Sequence, residues 1–155
     1  MTTPETAATR AIAAMGVDHE VRMIEGRPSS LEDAAAKFDV TPQTLLKTLV
    51  VRRADNDFLM VLIPGPAQIN WPKLRAHLGV SRLSMPDADT ARQATGYERG
   101  TITPFGASTP WPVIVDASVP GAGPVTVGSG AHGLSLRLDA DDLIETVGAE
   151  VADVI

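Results

Sequence analysis

Leu46-Lys47-Thr48-Leu49-Val50-Val51-Arg52-Arg53-Ala54-Asp55-Asn56-Asp57-Phe58-Leu59-Met60-Val61-Leu62-Ile63 is the stretch from which the fold is read. Two strongly apolar runs, Thr48–Val51 and Phe58–Ile63, flank Ala54-Asp55-Asn56-Asp57, whose Asn and Asp residues favour a tight turn. The pattern predicts a β-hairpin. Its runs are continuously apolar rather than alternating, so both are expected as central strands covered on two faces.

Towards the N-terminus, Ala7, Ala8, Ala11, Ile12 and Met15 recur at helical spacing and Gly16 is the expected stop. His19–Ile24 reads as a short strand with Val21 and Met23 on one face. Ser30, with Asp33 three places on, opens a helix through Ala36 in the manner of a capping box. Thr41-Pro42 starts a brief third helix, with Pro where a first-turn N–H has no partner anyway.

Towards the C-terminus, Asn70 caps a helix from Trp71 to Gly79. Arg82–Met85 is expected as a strand and Asp87–Ala94 as a helix. Val113–Val115, Val125–Val127 and Leu134–Leu138 read as strands, the last alternating leucines with Ser135 and Arg137. Asp139 caps a final helix that ends at Gly148. With no repeat, low-complexity tract or linker, strands and helices interleave as one α/β or α+β domain over residues 1–155.

The chain has 155 residues, 4% aromatic residues and no cysteine, so Val, Leu, Ile, Ala and Met must build the core. Lack of cysteine removes disulfides, thiolate metal sites and a cysteine nucleophile. No charged-then-apolar leader opens the sequence and no apolar run nears the ~18 residues of a membrane span, so a cytoplasmic protein without membrane contact is expected. A net charge of −6 excludes bulk coating of nucleic acid but not docking of one RNA end in a locally basic groove.

Two segments stand apart from these periodic elements. Gly96–Gly106 holds three glycines, Pro104 and the hydroxyls of Tyr97, Thr101 and Thr103 without any period, and Gly100 and Pro104 frame a GxxxP element. It is either a surface connection or a ligand-binding loop with free N–H groups. Gly128-Ser129-Gly130-Ala131-His132-Gly133 forms a second glycine-rich turn, where His132 is either solvated or substrate-facing. Lys47, at the mouth of the hairpin, is either a snorkelling side chain or a cation awaiting an anion or a polarised carbonyl. Ser129 lacks the strand-to-helix elbow of a nucleophile, the histidines lack metal-ligand spacing, and no P-loop is present. No metal or organic cofactor is expected.

Leu46–Val51, Gly96-Tyr97 through Pro104-Phe105-Gly106, Val113–Asp116, Val127–Ser135 and Asp141–Gly148 occur in an order that resembles the YbaK/ProX family of aminoacyl-tRNA deacylases. That family is related to the editing domain inserted in bacterial prolyl-tRNA synthetase. The resemblance covers about Thr6 to Ile155. It implies a mixed β-sheet curled towards a barrel with flanking helices. It also implies hydrolysis of the ester joining a wrong, small amino acid (Ala, Ser or Cys) to tRNA-Pro or a related tRNA. By the same resemblance, Lys47, Gly100, Thr101, Ile102 and Thr103 carry the catalysis, while Pro104, Phe105, Gly128, Ser129, Gly130 and His132 bind substrate. The implied partner is a mischarged tRNA acceptor end, with a transient synthetase contact and an open oligomeric state. The rival expectation is a non-catalytic module that holds aminoacyl-tRNA or a synthetase.

Overall fold

A computed structural model describes residues 4–155. Helix α1 (Ala7–Ala14) begins at Thr6, whose hydroxyl and that of Thr9 each accept the other residue's backbone N–H. Strand β1 (Glu20–Met23) leads to α2 (Leu31–Lys37). Ser30 caps α2 by accepting from Asp33 N–H at 3.0 Å, but the reciprocal bond is displaced: the Asp33 carboxylate takes the N–H of Ser29. The brief third helix is a single 3-10 turn at Pro42–Thr44.

The expected hairpin is β2 (Leu46–Ala54) and β3 (Asp57–Pro64), antiparallel, with Lys47 opposite Ile63 and Thr48 opposite Leu62. Asn56 takes φ of 56° in the turn, a left-handed conformation that asparagine tolerates. Next come α3 (Trp71–Leu78), α4 (Ala88–Thr95), β4 (Val113–Asp116), β5 (Pro124–Gly128), β6 (Leu134–Asp139), α5 (Ala140–Val147) and β7 (Glu150–Ala152). Asn70, Asp87 and Asp139 cap α3, α4 and α5 with their side chains.

The strands form two sheets, β1-β6-β5, wholly antiparallel, and β2-β3-β4-β7, in which β3-β4 and β4-β7 are parallel. One core cluster joins them: Val50, Met60, Leu62 and Val115 from the larger sheet with Val125, Val127, Leu136 and Leu138 from the smaller. A second cluster lies behind the larger sheet, where Leu74 of α3 and Val154 cover Val51, Leu59, Val61 and Ile63. Strand β3 is therefore buried on both faces, as its unbroken apolar run requires.

The expected mixed β-sheet with flanking helices is present; it is divided into two sheets that do not close into a barrel. The 3-10 turn brings Leu45 against Thr126 in one parallel bridge, and beyond it β2 and β5 do not continue as a ladder. Arg82–Met85 is not a strand but one antiparallel bridge of Ser84 to Arg52, cut short by a bulge between Arg52 and Ala54 on one side and by Pro86 on the other. β7 was not foreseen, because it has three residues and Glu150 and Val151 are exposed, which leaves too little alternation to detect.

Candidate active site

The opening between β2 and β5 is a cleft of about 490 Å³. One wall is Arg27-Pro28-Ser29-Ser30 with Leu31 and Ala34 of α2. The others are residues 46–49 of β2, residues Arg99, Gly100 and Ile102 of the first glycine loop, and residues 127–128 and 131–135 around the second. Arg27, Lys47, Arg99 and His132 all line it, and among the described residues no Asp or Glu does, Glu98 standing beside His132 outside the lining. The protein is acidic overall, yet this cleft has a local excess of positive charge, suited to an anionic end group.

Lys47 is half-buried and makes no ion pair among the described residues. Desolvation holds its ammonium below the ordinary lysine value. Gly100, also in the cleft lining, takes φ of 92°, a conformation that a side chain would strain. The His132 ring sits over it, with Cε1 3.6 Å from where a Cβ would be, and His132 Nε2 lies 3.4 Å from a Glu98 carboxylate oxygen.

The first loop is held from several sides. Tyr97 donates its hydroxyl to Phe105 O at 2.7 Å, which closes the segment on itself. Burial pushes that phenol up, so it remains a donor. Gly130 N–H donates to Thr101 O at 2.9 Å and ties the two loops together. The pair is also in close contact: a Cβ on Gly128 would stand 2.6 Å from Ile102 O, and one on Gly130 would stand 2.6 Å from the Tyr97 ring. Only glycine fits at either place. Thr6 donates to Ser129 O at 2.6 Å and so anchors the second loop to the start of α1.

Of the residues expected at the site, Lys47, Gly100, Ile102, Gly128 and His132 line the cleft, whereas Thr101, Thr103, Pro104, Phe105, Ser129 and Gly130 do not. Those six belong to the frame. Thr101 bonds Glu98 O through both its N–H (2.9 Å) and its hydroxyl (2.7 Å), so its amide is not open to a ligand. Thr103 Oγ1 accepts from Phe105 N–H, and the Phe105 side chain is in the core. Ser129 Oγ donates to Leu134 O at 2.6 Å. Among the described residues, the N–H groups of Gly100, Ile102 and Thr103 have no hydrogen-bond partner. Sequence reasoning missed the wall made by Arg27–Ala34 and two hydroxyl residues, Thr48 and Ser135, that also line the cleft.

The model of the aminoacyl-tRNA editing domain matches residues 27–146, most of the chain and every wall of the cleft. The chain belongs to the aminoacyl-tRNA editing domain family. A proline–tRNA ligase from Geobacter sp. (strain M21) is 33% identical over 108 residues, which cover 70% of this chain but 19% of the ligase. The chain thus spans about a fifth of the curated relatives it matches. The crystal structure of a hypothetical protein superposes with a TM-score of 0.88 at 25% identity, covering 96% of this chain and 99% of that one. A candidate trans-editing enzyme for prolyl tRNA synthetase gives a TM-score of 0.88 at 22% identity, covering 98% of each chain, and has the same fold. No helix among the described residues is long and apolar enough to cross a membrane.

Proposed function

We propose that this editing-domain protein is a hydrolase that acts in trans on mischarged aminoacyl-tRNA, cleaving the ester between a small amino acid and the terminal ribose. The single observation that supports this reading is one cleft, lined by no Asp or Glu among the described residues, to which Lys47, Gly100 and Ile102 all contribute, the lysine without an ion pair and the other two with backbone N–H groups that have no partner there. An aminoacyl ester is already activated, so positioning can replace a protein nucleophile. Water, aided by the ribose hydroxyl next to the ester, adds to the acyl carbon. The amides of Gly100 and Ile102 receive the oxyanion, one such donor being worth ~3 kcal/mol. The acyl–oxygen bond to ribose then breaks, the ribose oxygen takes a proton, and the amino acid leaves as a carboxylate. Lys47 holds the terminal phosphate or the reacting ester, with Arg27, Arg99 and His132 adding to the local positive potential. Thr101, Thr103, Pro104, Phe105, Ser129 and Gly130 keep the two loops in place.

Alanine, serine and cysteine are the side chains that suit this role, on tRNA-Pro or a related tRNA, in the cytoplasm where translation occurs. A transient contact with a synthetase would deliver the substrate. Incubation with a panel of mischarged tRNAs tests the reading: ester loss on one or two of them is expected. Lys47→Ala should slow that loss about 100-fold with the melting temperature retained. Protection of the ester without cleavage would instead identify a carrier of aminoacyl-tRNA.

A further inference from the structure

Among the described residues, Arg22 Nη1, Thr126 Oγ1, Ser135 Oγ and Arg137 Nε are buried without a hydrogen-bond partner, and all four belong to the smaller sheet. The register puts them on one face. Arg22 is directly opposite Ser135, Arg137 is directly opposite Thr126, and Ser135 and Arg137 are two apart on β6. Val21, Val127 and Leu136 alternate with them and turn to the core instead. Thr48 Oγ1 is also unpartnered, but it belongs to β2 and not to this row. Buried polar groups normally find partners, so a face with two open guanidinium nitrogens and two open hydroxyls points to a group supplied from outside.

The positive charge on this face is uncompensated. Neither arginine makes an ion pair among the described residues. Glu20 stands opposite Arg137 in the ladder, but it is exposed and forms no ion pair with it. Asp139, farther along the same face of β6, uses its carboxylate to accept the N–H groups of Asp141 and Asp142 at the start of α5. Arg22 and Arg137 are diagonal neighbours, a separation that two long side chains can span around one anion. Both are half-buried, so each keeps a part open to solvent. The face also runs into the cleft. Ser135 and Gly128, its neighbour on β5, line the cleft, so an anion beside Ser135 has Arg22 directly across on β1. Past β1 the chain stays on this ladder, Ile24 N–H donating to Gly133 O at 2.8 Å, and then reaches Arg27 in the cleft wall.

We propose that Arg22, Ser135 and Arg137 form a phosphate subsite beside the cleft, which takes a phosphodiester of the acceptor end upstream of the terminal adenosine. This rests on the editing reading above. The non-bridging oxygens of a phosphodiester only accept hydrogen bonds, and the guanidinium groups and the Ser135 hydroxyl can all donate to them. RNA is favoured over a free anion because this face is continuous with the cleft assigned to the RNA terminus. A chain of net charge −6 also needs a local group of cations to hold a polyanion. Thr126 completes the row behind Arg137, but it is fully buried and does not line the cleft, so it serves as the control.

The test measures KM and kcat for ester loss from a mischarged tRNA, together with binding of the unacylated trinucleotide CCA and of adenosine. It compares the unmodified protein with Arg22→Gln, Arg137→Gln, Ser135→Ala and Thr126→Val. Each arginine change should raise KM about 10-fold with kcat retained, the mark of lost uniform binding. It should also lower the slope of log affinity against log salt by about one. CCA should bind more weakly to both arginine variants, whereas adenosine, which has no phosphate, should bind as before. Ser135→Ala should shift KM the same way by less, and Thr126→Val should not shift it. Arg22→Lys, which keeps a cation, should recover the salt slope. If either glutamine variant melts at a lower temperature, Arg22→Lys and Ser135→Ala carry the comparison. Unaltered KM and CCA binding in both arginine variants overturn the proposal. So does equal weakening of CCA and adenosine, which marks a purely structural role. Tighter binding of inorganic phosphate or adenosine 5′-monophosphate than of CCA overturns it too, since the site would then serve a free anion. If the unmodified protein cleaves no ester on the panel, the editing reading falls, and CCA binding still judges the subsite. Cleavage with an unaltered KM removes only the subsite.

Discussion

Asp116 and Ser135 are both buried polar groups on strands, yet they are treated in opposite ways. Asp116, at the end of β4, is 1% exposed and both its oxygens are engaged. One accepts from Val154 N–H at 3.0 Å; the other accepts from Ser118 N–H at 2.9 Å and the Ser118 hydroxyl at 2.5 Å. It locks the turn after β4 to the C-terminal segment. At the cleft, Lys47 is unpaired and two hydroxyls are empty-handed. Polar groups that hold the fold here find their partners inside the chain, whereas the cleft leaves some of its own unpaired.

The contrast would break first at Asp116. Asp116→Ala leaves the Val154 and Ser118 donors without an acceptor and should cost about 3 kcal/mol in chemical denaturation. Next in size is Gly128→Ala. Its added carbon would press on two backbone oxygens that cannot swing aside, so the Gly100–Ile102 amides must shift. Ester hydrolysis should fall about 100-fold, since a displacement near 1 Å is enough for that.

A smaller effect is a dependence on pH. Burial raises the Asp116 carboxyl, but the hydrogen bonds from Ser118, Val154 and Ala117 outweigh it and the net shift is downward. The folded state thus releases this proton more readily than the unfolded one. The stability it contributes is complete above the ordinary carboxylate value of 3.8 and is lost as pH falls through the lower folded value. Asp116→Asn should flatten that acid limb in denaturation curves taken at successive pH. Smallest, and opposite in sign, is Thr126→Val. It replaces an unpaired buried hydroxyl by a methyl group and should stabilise by about 1 kcal/mol in chemical denaturation, which would sharpen the contrast with the fully bonded Asp116.

The hairpin was legible because β3 is apolar at every buried position, and the helices were legible because Ser30, Asn70, Asp87 and Asp139 mark their starts. Lys47, Gly100, Ile102, Gly128 and His132 were found as members of unusual local segments, and the structure brings all five to one cleft. Ser135 was not found, for a physical reason. In Leu134-Ser135-Leu136-Arg137-Leu138 the alternation reads as one apolar face and one solvated face, but the second face is itself covered, so the serine is buried with nothing to bond. The opening of the barrel was equally hidden, because it depends on where a single bridge between Leu45 and Thr126 stops, and no local pattern encodes that register.

The strand order β1-β6-β5 sets a timetable for biosynthesis. Glu20–Met23 is made well before its ladder partner Leu134–Asp139. Such distant pairing is slow to form. Until β6 has been made, the three-stranded sheet has no middle strand, and the nascent chain lacks one wall of its cleft.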